Sequence, residues 1–159
     1  MRYTEEAENV VLTAARHAKQ LGHSFVGSQH ILLALSDHGG GAAMILRNAG
    51  LEFSLLQEMV VMLYGVGASD LALPQGFTTA AKWILMDSRS EAKHSGKRKI
   101  ESVHILMSVL RREQCAAQEI LRIAGVDRDG TFTRSVDYLK KEATASTSTK
   151  KEAVSTKLL

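Results

Sequence analysis

His30 and His104 are each followed by Ile-Leu, and imidazoles in matching places can carry protons near neutral pH or bind transition metals. Neither has a Cys, Asp or Glu beside it at metal-ligand spacing, so each reads as a helix histidine whose ring is satisfied by the protein. The histidines at 17, 23, 38 and 94 are scattered, and no metal is expected. Cys115 is the only cysteine; a nucleophile needs a base and a group to orient that base, and none can be nominated. Beside Ala116 and Ala117 it reads as a small apolar packing group. Gly96-Lys97-Arg98 lacks both the first glycine and the hydroxyl of a phosphate loop, which excludes ATP hydrolysis by that mechanism. The residues offer binding rather than turnover, so the chain is expected to be no enzyme and to need no cofactor.

The run Lys97-Arg98-Lys99 reads either as a solvated turn or as a contact for an acidic partner. The formal charge is +3, but residues 140–159 hold five lysines against two glutamates, and the remainder is balanced. The body therefore projects no field to steer a polyanion, and nucleic acid is not expected. No apolar stretch reaches the roughly 20 residues that cross a bilayer. A lone cysteine, and Glu5-Glu6 where a signal peptide would turn apolar, point to the reducing cytoplasm. With 45% apolar residues in 159, a core can form without metal or disulfide.

These residues sit in a chain that repeats itself. Tyr3-Thr4 recurs as Phe77-Thr78, an offset of 74 that also relates Ala7 to Ala81, Ala18 to Ala92, Gly22 to Gly96 and His30-Ile31-Leu32 to His104-Ile105-Leu106. After a slip to 75, Ile45-Leu46-Arg47 returns as Ile120-Leu121-Arg122, and Ala49-Gly50 as Ala124-Gly125. Residues 1–64 form the first unit, 65–76 a linker with the only proline, 77–142 the second unit, and 143–159 a flexible linker or tail.

Each unit predicts four helices. Ala7, Val10, Val11, Ala14, Ala15, Ala18 and Leu21 keep helical spacing behind the cap Thr4, with Glu5 and Glu6 at the positive end of the dipole. Thr78 opens the equivalent stripe of Ala81, Ile84, Leu85, Ser88 and Ala92. Ser28 opens a short helix that the glycines at 39–41 stop, and Gly50 and Gly125 suit left-handed helix ends. Terminal helices are expected over Phe53–Tyr64 and Thr131–Glu142. The fold class is all-α, two tandem pseudo-symmetric four-helix repeats with little or no sheet. Tyr3 and Phe77, at equivalent helix starts, are either anchors for a bound protein or staples that fasten those starts to the core.

Tyr3-Thr4-Glu5-Glu6-Ala7, the run Leu21–Leu35 with Gly27-Ser28-Gln29-His30 at its centre, and Ala43–Leu51 resemble the Clp N-terminal domain of Clp ATPases, most closely the ClpC type. The resemblance covers residues 3 to about 142, is more divergent in the second unit, and implies an eight-helix double repeat. It also implies a module that docks adaptor proteins and substrates on an unfoldase ring feeding a Clp protease. The isolated domain would then be a monomer, because hexamers form through the ATPase modules. A freestanding regulator or adaptor of Clp proteolysis is the alternative. Members of the ClpC type bind phosphoarginine through a glutamate in each repeat and a helix start. Here those glutamate positions hold Gln29 and Val103, while Thr4 and Thr78 remain at the helix starts, so phosphoarginine binding is expected to be weak or absent. Tyr3, Thr4, Gln29, Phe77, Thr78, Val103, Lys97, Arg98 and Lys99 are the candidate contacts for adaptors.

Overall fold

The computed structural model describes every residue except Gly39 and Leu159, with side chains described up to residue 145. The order is β1 (Arg2–Tyr3), α1 (Glu5–Gln20), α2 (Ser28–His38), α3 (Gly41–Asn48), α4 (Phe53–Tyr64), α5 (Thr79–His94), β2 (Lys99–Ile100), α6 (Ser102–Arg111), α7 (Ala116–Ile123) and α8 (Arg128–Leu158). The protein is all-α, with helices α1 to α4 and α5 to α8 in the same sequence of roles.

Local chemistry starts and stops these helices at matching residues. Thr4 and Thr78 accept hydrogen bonds from the Ala7 and Ala81 amides, at 3.1 and 3.2 Å. Gly50 and Gly125 end α3 and α7 with φ of +85° and +72°. The amides of the next residues, Leu51 and Val126, reach back to the carbonyls of Leu46 and Leu121, a closure that needs the left-handed residue between.

The two repeats interlock. Tyr3 pairs in parallel with Ile100, and Phe77 bridges to Val26, so each repeat's leading strand lies on the other repeat's loop. The Thr4 amide donates to the Ile100 carbonyl and the Thr78 amide to the Val26 carbonyl, both at 2.9 Å. Two-residue pairings leave no period-two pattern to read, and this small amount agrees with the expectation of little or no sheet.

Packing follows the same exchange. Helix α7 lies on α2 and α3 on α6, each across the repeat boundary. Ser28 Oγ accepts from the Ala117 amide at 2.9 Å, tying the start of α2 to the start of α7. Helix α6 is buried from Ser102 to Leu110, and α2 is buried at Ser28 and from His30 to Leu35. The two second helices are thus the centre, and α1, α4, α5 and α8 surround them.

The last helix departs from expectation at both ends. It begins at Arg128, whose guanidinium donates to the Leu110 carbonyl at 2.6 Å, and it continues past Glu142 to Leu158. Residues 143–158 hold no Gly or Pro to stop the helix, and its backbone runs on through them. Side chains from 146 onward, Leu159, and the expected stop at Gly39 lie outside the described residues.

Ile100 is 1% exposed and closes the exchange from the second repeat. Ile100→Ala is expected to cost about 2–5 kcal/mol in urea unfolding while keeping one transition. Two separate transitions, or a loss well under 1 kcal/mol, would contradict the interlocked packing.

Candidate functional site

The threonines and aromatics at the helix starts are occupied by the fold. Tyr3 and Phe77 are half-buried against the core, which favours the stapling role for most of each ring and leaves an edge at the surface. Thr4 and Thr78 spend both their hydroxyls and their amides on the caps and the strand exchange.

Gln29 is half-buried and folds back over Gly27, so closely that a methyl group on Gly27 would collide with its amide. Val103 is 1% exposed, sealed in the centre with the rest of α6. It therefore offers no surface to a partner, a correction to its place among the candidate contacts: an apolar residue at this position turns inward rather than outward.

The basic loop also divides. Lys97 Nζ lies 2.9 Å from Glu142 and 3.7 Å from Glu101, which fastens the loop to α8. Burial and the neighbouring Glu142 carboxylate push Glu101 up to about 7. Arg98 and Lys99 are exposed, and Lys99 stands in register with exposed Arg2. The cationic surface is thus Arg2, Arg98 and Lys99, assembled by strand pairing across 97 residues of sequence.

His30 and His104 cap their own helices. The Gly27 amide donates to His30 Nδ1 and the Glu101 amide to His104 Nδ1, both at 2.9 Å. With Nδ1 accepting, His30 carries its proton on Nε2 and donates it to His23 Nδ1 at 2.8 Å; His23 Nε2 then donates to the Gly65 carbonyl at 2.9 Å. Lys97 takes the place of His23 in the second repeat, and His104 Nε2 has no hydrogen-bond partner among the described residues. Burial, with nearby positive charge, lowers His30 to about 3 and His104 to about 4. Among the described residues no group of three or more His, Cys, Asp or Glu could hold a metal ion. Cys115 stands half-buried at the start of α7 with its thiol 3.8 Å from the Arg112 carbonyl.

Large apolar side chains also lie exposed on the outer faces of the first helices. Leu12 on α1 is 63% exposed and Met86 on α5 is 61% exposed, and the offset of 74 relates them. Leu12 faces an open depression of about 660 Å3 shared with Thr4, Glu5, Glu6, Asn9 and Arg16. Trp83, 43% exposed, adds ring area near Met86, with the Arg112 guanidinium 5.5 Å from its centroid. Leu12 and Met86 carry a signal in the sequence: they are apolar, repeated, and lie off the buried stripe.

The model of the Clp repeat N-terminal domain matches residues 2–69 and again 76–158, once for each repeat. The chain belongs to the Clp N-terminal domain family. It is 34% identical over 149 residues to the chloroplastic chaperone protein ClpC of Pisum sativum, and 32% identical over 148 residues to a ClpA homolog, an ATP-dependent Clp protease ATP-binding subunit, of Porphyra purpurea. These alignments cover 93% and 92% of this chain but 16% and 18% of the relatives, so it spans about a sixth of their length. The N-terminal domain of ClpD from Arabidopsis thaliana shares the fold at a TM-score of 0.75 and 20% identity, covering 87% of this chain and 95% of that one. A ClpV N-domain solved in complex with a VipB peptide matches at a TM-score of 0.65 and 16% identity, covering 86% and 88%. Among the described residues no helix is long and apolar enough to cross a membrane.

Two predictions follow from the buried histidines and the altered glutamate positions of this Clp N-terminal domain. Because both rings are held neutral, the unfolded chain binds more protons below about pH 6.5. The histidines' share of stability is full above that value and falls as the pH is lowered toward about 4 for His104 and about 3 for His30, while Glu101, raised to about 7, acts in the opposite sense. His104→Asn keeps an acceptor for the Glu101 amide and cannot titrate, so urea unfolding from pH 7 to 4 should show a shallower loss than wild type; parallel curves would refute this. Calorimetry with free phosphoarginine should show no micromolar binding, and two micromolar sites would contradict the reading of Gln29 and Val103.

Proposed function

We propose that this chain is the adaptor- and substrate-docking domain of a ClpC-type unfoldase that delivers proteins to a Clp protease, and that it performs no catalysis itself. The observation that carries this is the pair Leu12 and Met86, large apolar side chains left exposed at equivalent positions of the two repeats. Exposed apolar side chains that gather into a patch mark protein contacts, and Trp83 with Arg112 on the same side of the second repeat supplies residue types that commonly anchor them. The ClpV N-domain seen with a peptide supports the same use of the fold, and the greater length of the ClpC relatives supports a parent chain over a freestanding regulator.

The remaining features fit that reading. The charge balance of residues 1–139 speaks against nucleic acid as the partner. A single half-buried cysteine suits a reducing compartment, taken to be the cytoplasm, and a monomeric domain leaves both outer faces accessible.

The test is competition. Added in excess to a ClpC–protease assay degrading labelled, unfolded casein, the wild-type chain should slow degradation by sequestering substrate or adaptor. The double variant Leu12→Glu with Met86→Glu should lose that effect while unfolding in urea as wild type does, because both residues are exposed. No inhibition by the wild-type chain would count against the docking function.

A further inference from the structure

Between α5, α6 and α8 runs an open cleft of about 330 Å3 with Met107, Phe132, Val136 and Leu139 in its lining. Met107 and Leu139 are buried, whereas Phe132 and Val136 keep part of their surface open. Arg111 and Lys140 also line the cleft. Arg111 Nε holds Glu91 at 2.7 Å, and its guanidinium lies 4.4 Å from the Phe132 ring centre. That side chain is still 63% exposed, so the rest of its planar set of donors stays open. Lys140 is exposed and has no ion pair among the described residues.

The first repeat lacks this arrangement. At the offset of 74, Asp37 stands for Arg111 and His17 for Glu91, and at 75 Gly65 stands for Lys140. The equivalent place therefore carries a carboxylate and no lysine. In the second repeat Glu91, the one carboxylate among the described lining residues, is 7% exposed and already matched by Arg111.

We propose that this cleft seats an acidic, apolar peptide segment, with bulky apolar side chains over Phe132 and Val136 and a carboxylate between Arg111 and Lys140. The assignment rests on the docking function above and names the chemistry of the segment. An acidic segment completes the guanidinium's hydrogen bonds and covers the apolar floor, whereas a basic one brings like charges against two cations.

The test uses a fluorescein-labelled helical peptide of Leu, Phe and Glu, and a counterpart with every Glu replaced by Lys, titrated with this chain by fluorescence anisotropy. The acidic peptide should bind at least about tenfold more tightly, and added salt should weaken it. Lys140→Glu, at an exposed and unpaired position, should weaken binding by about tenfold, Val136→Gln should also weaken it, and Arg47→Glu, the same charge reversal at an exposed position of the first repeat, should not. Equal affinity for the two peptides, or wild-type affinity in both cleft variants, would overturn the proposal. If the acidic peptide responded only to Leu12→Glu, docking would stand and the cleft assignment would fall; if neither peptide nor casein bound, both would fall.

Discussion

The backbone hydrogen bonds from Thr4 to Ile100 and from Thr78 to Val26 are the constraint on which the rest of the molecule depends. Each orients the entry to a first helix, and each is supplied by the loop of the opposite repeat. Once the entries are fixed, α1 and α5 lay their small-residue stripes on α2 and α6, where Ala7, Ala14, Ala18, Ala81 and Ala92 are fully buried and permit close approach. The exchange also explains why the centre tolerates polar side chains. Ser28 is met by Ala117 from the other repeat, and Ser102 donates to Glu6 across the same boundary. A buried hydroxyl without such a partner would be costly, so the halves depend on each other for satisfaction as well as for apolar contact.

Within this shared frame the two repeats have separated chemically. His17 Nε2 stands 3.3 Å from Asp37, near enough for an ion pair although off the line of a hydrogen bond, and burial lowers its proton affinity despite that carboxylate. The same two positions in the second repeat hold Glu91 and Arg111 at 2.7 Å. Burial raises Glu91, and the arginine opposes that rise. Likewise His23, which relays a hydrogen bond from His30 to Gly65, gives way to Lys97, which reaches Glu142. The backbone needs only a cap and a strand from each unit, so the remaining residues are free to specialise. Equivalent scaffolds thereby present unlike surfaces.

Much of this was legible in the sequence because it is local. The offset of 74, the threonine caps, the left-handed glycines and the helical stripe of α1 are short-range features, and the structure reproduces them. The satisfied role of His30 was legible from the absence of ligand partners, though its actual bond to the Gly27 amide was not. What escaped is set by distant pairing. Lys97 meets Glu142 across 45 residues, so the basic run could not be divided into a fastened and a free part. Val103 marks a site by resemblance to a glutamate position, yet it lies on a helix buried along its length from Ser102 to Leu110, which only the packing reveals. Leu12 is a repeated apolar residue outside the stripe, and such a residue carries meaning only once its exposure is known.

The central claim is that the two repeats form one cooperative body through the exchanged strands. Amide hydrogen exchange read at Thr4 and Thr78 tests it directly. The account predicts that both amides open with the same free energy, equal to that of global unfolding. Exchange of either one through a smaller, separate opening, with the other repeat still protected, would contradict it.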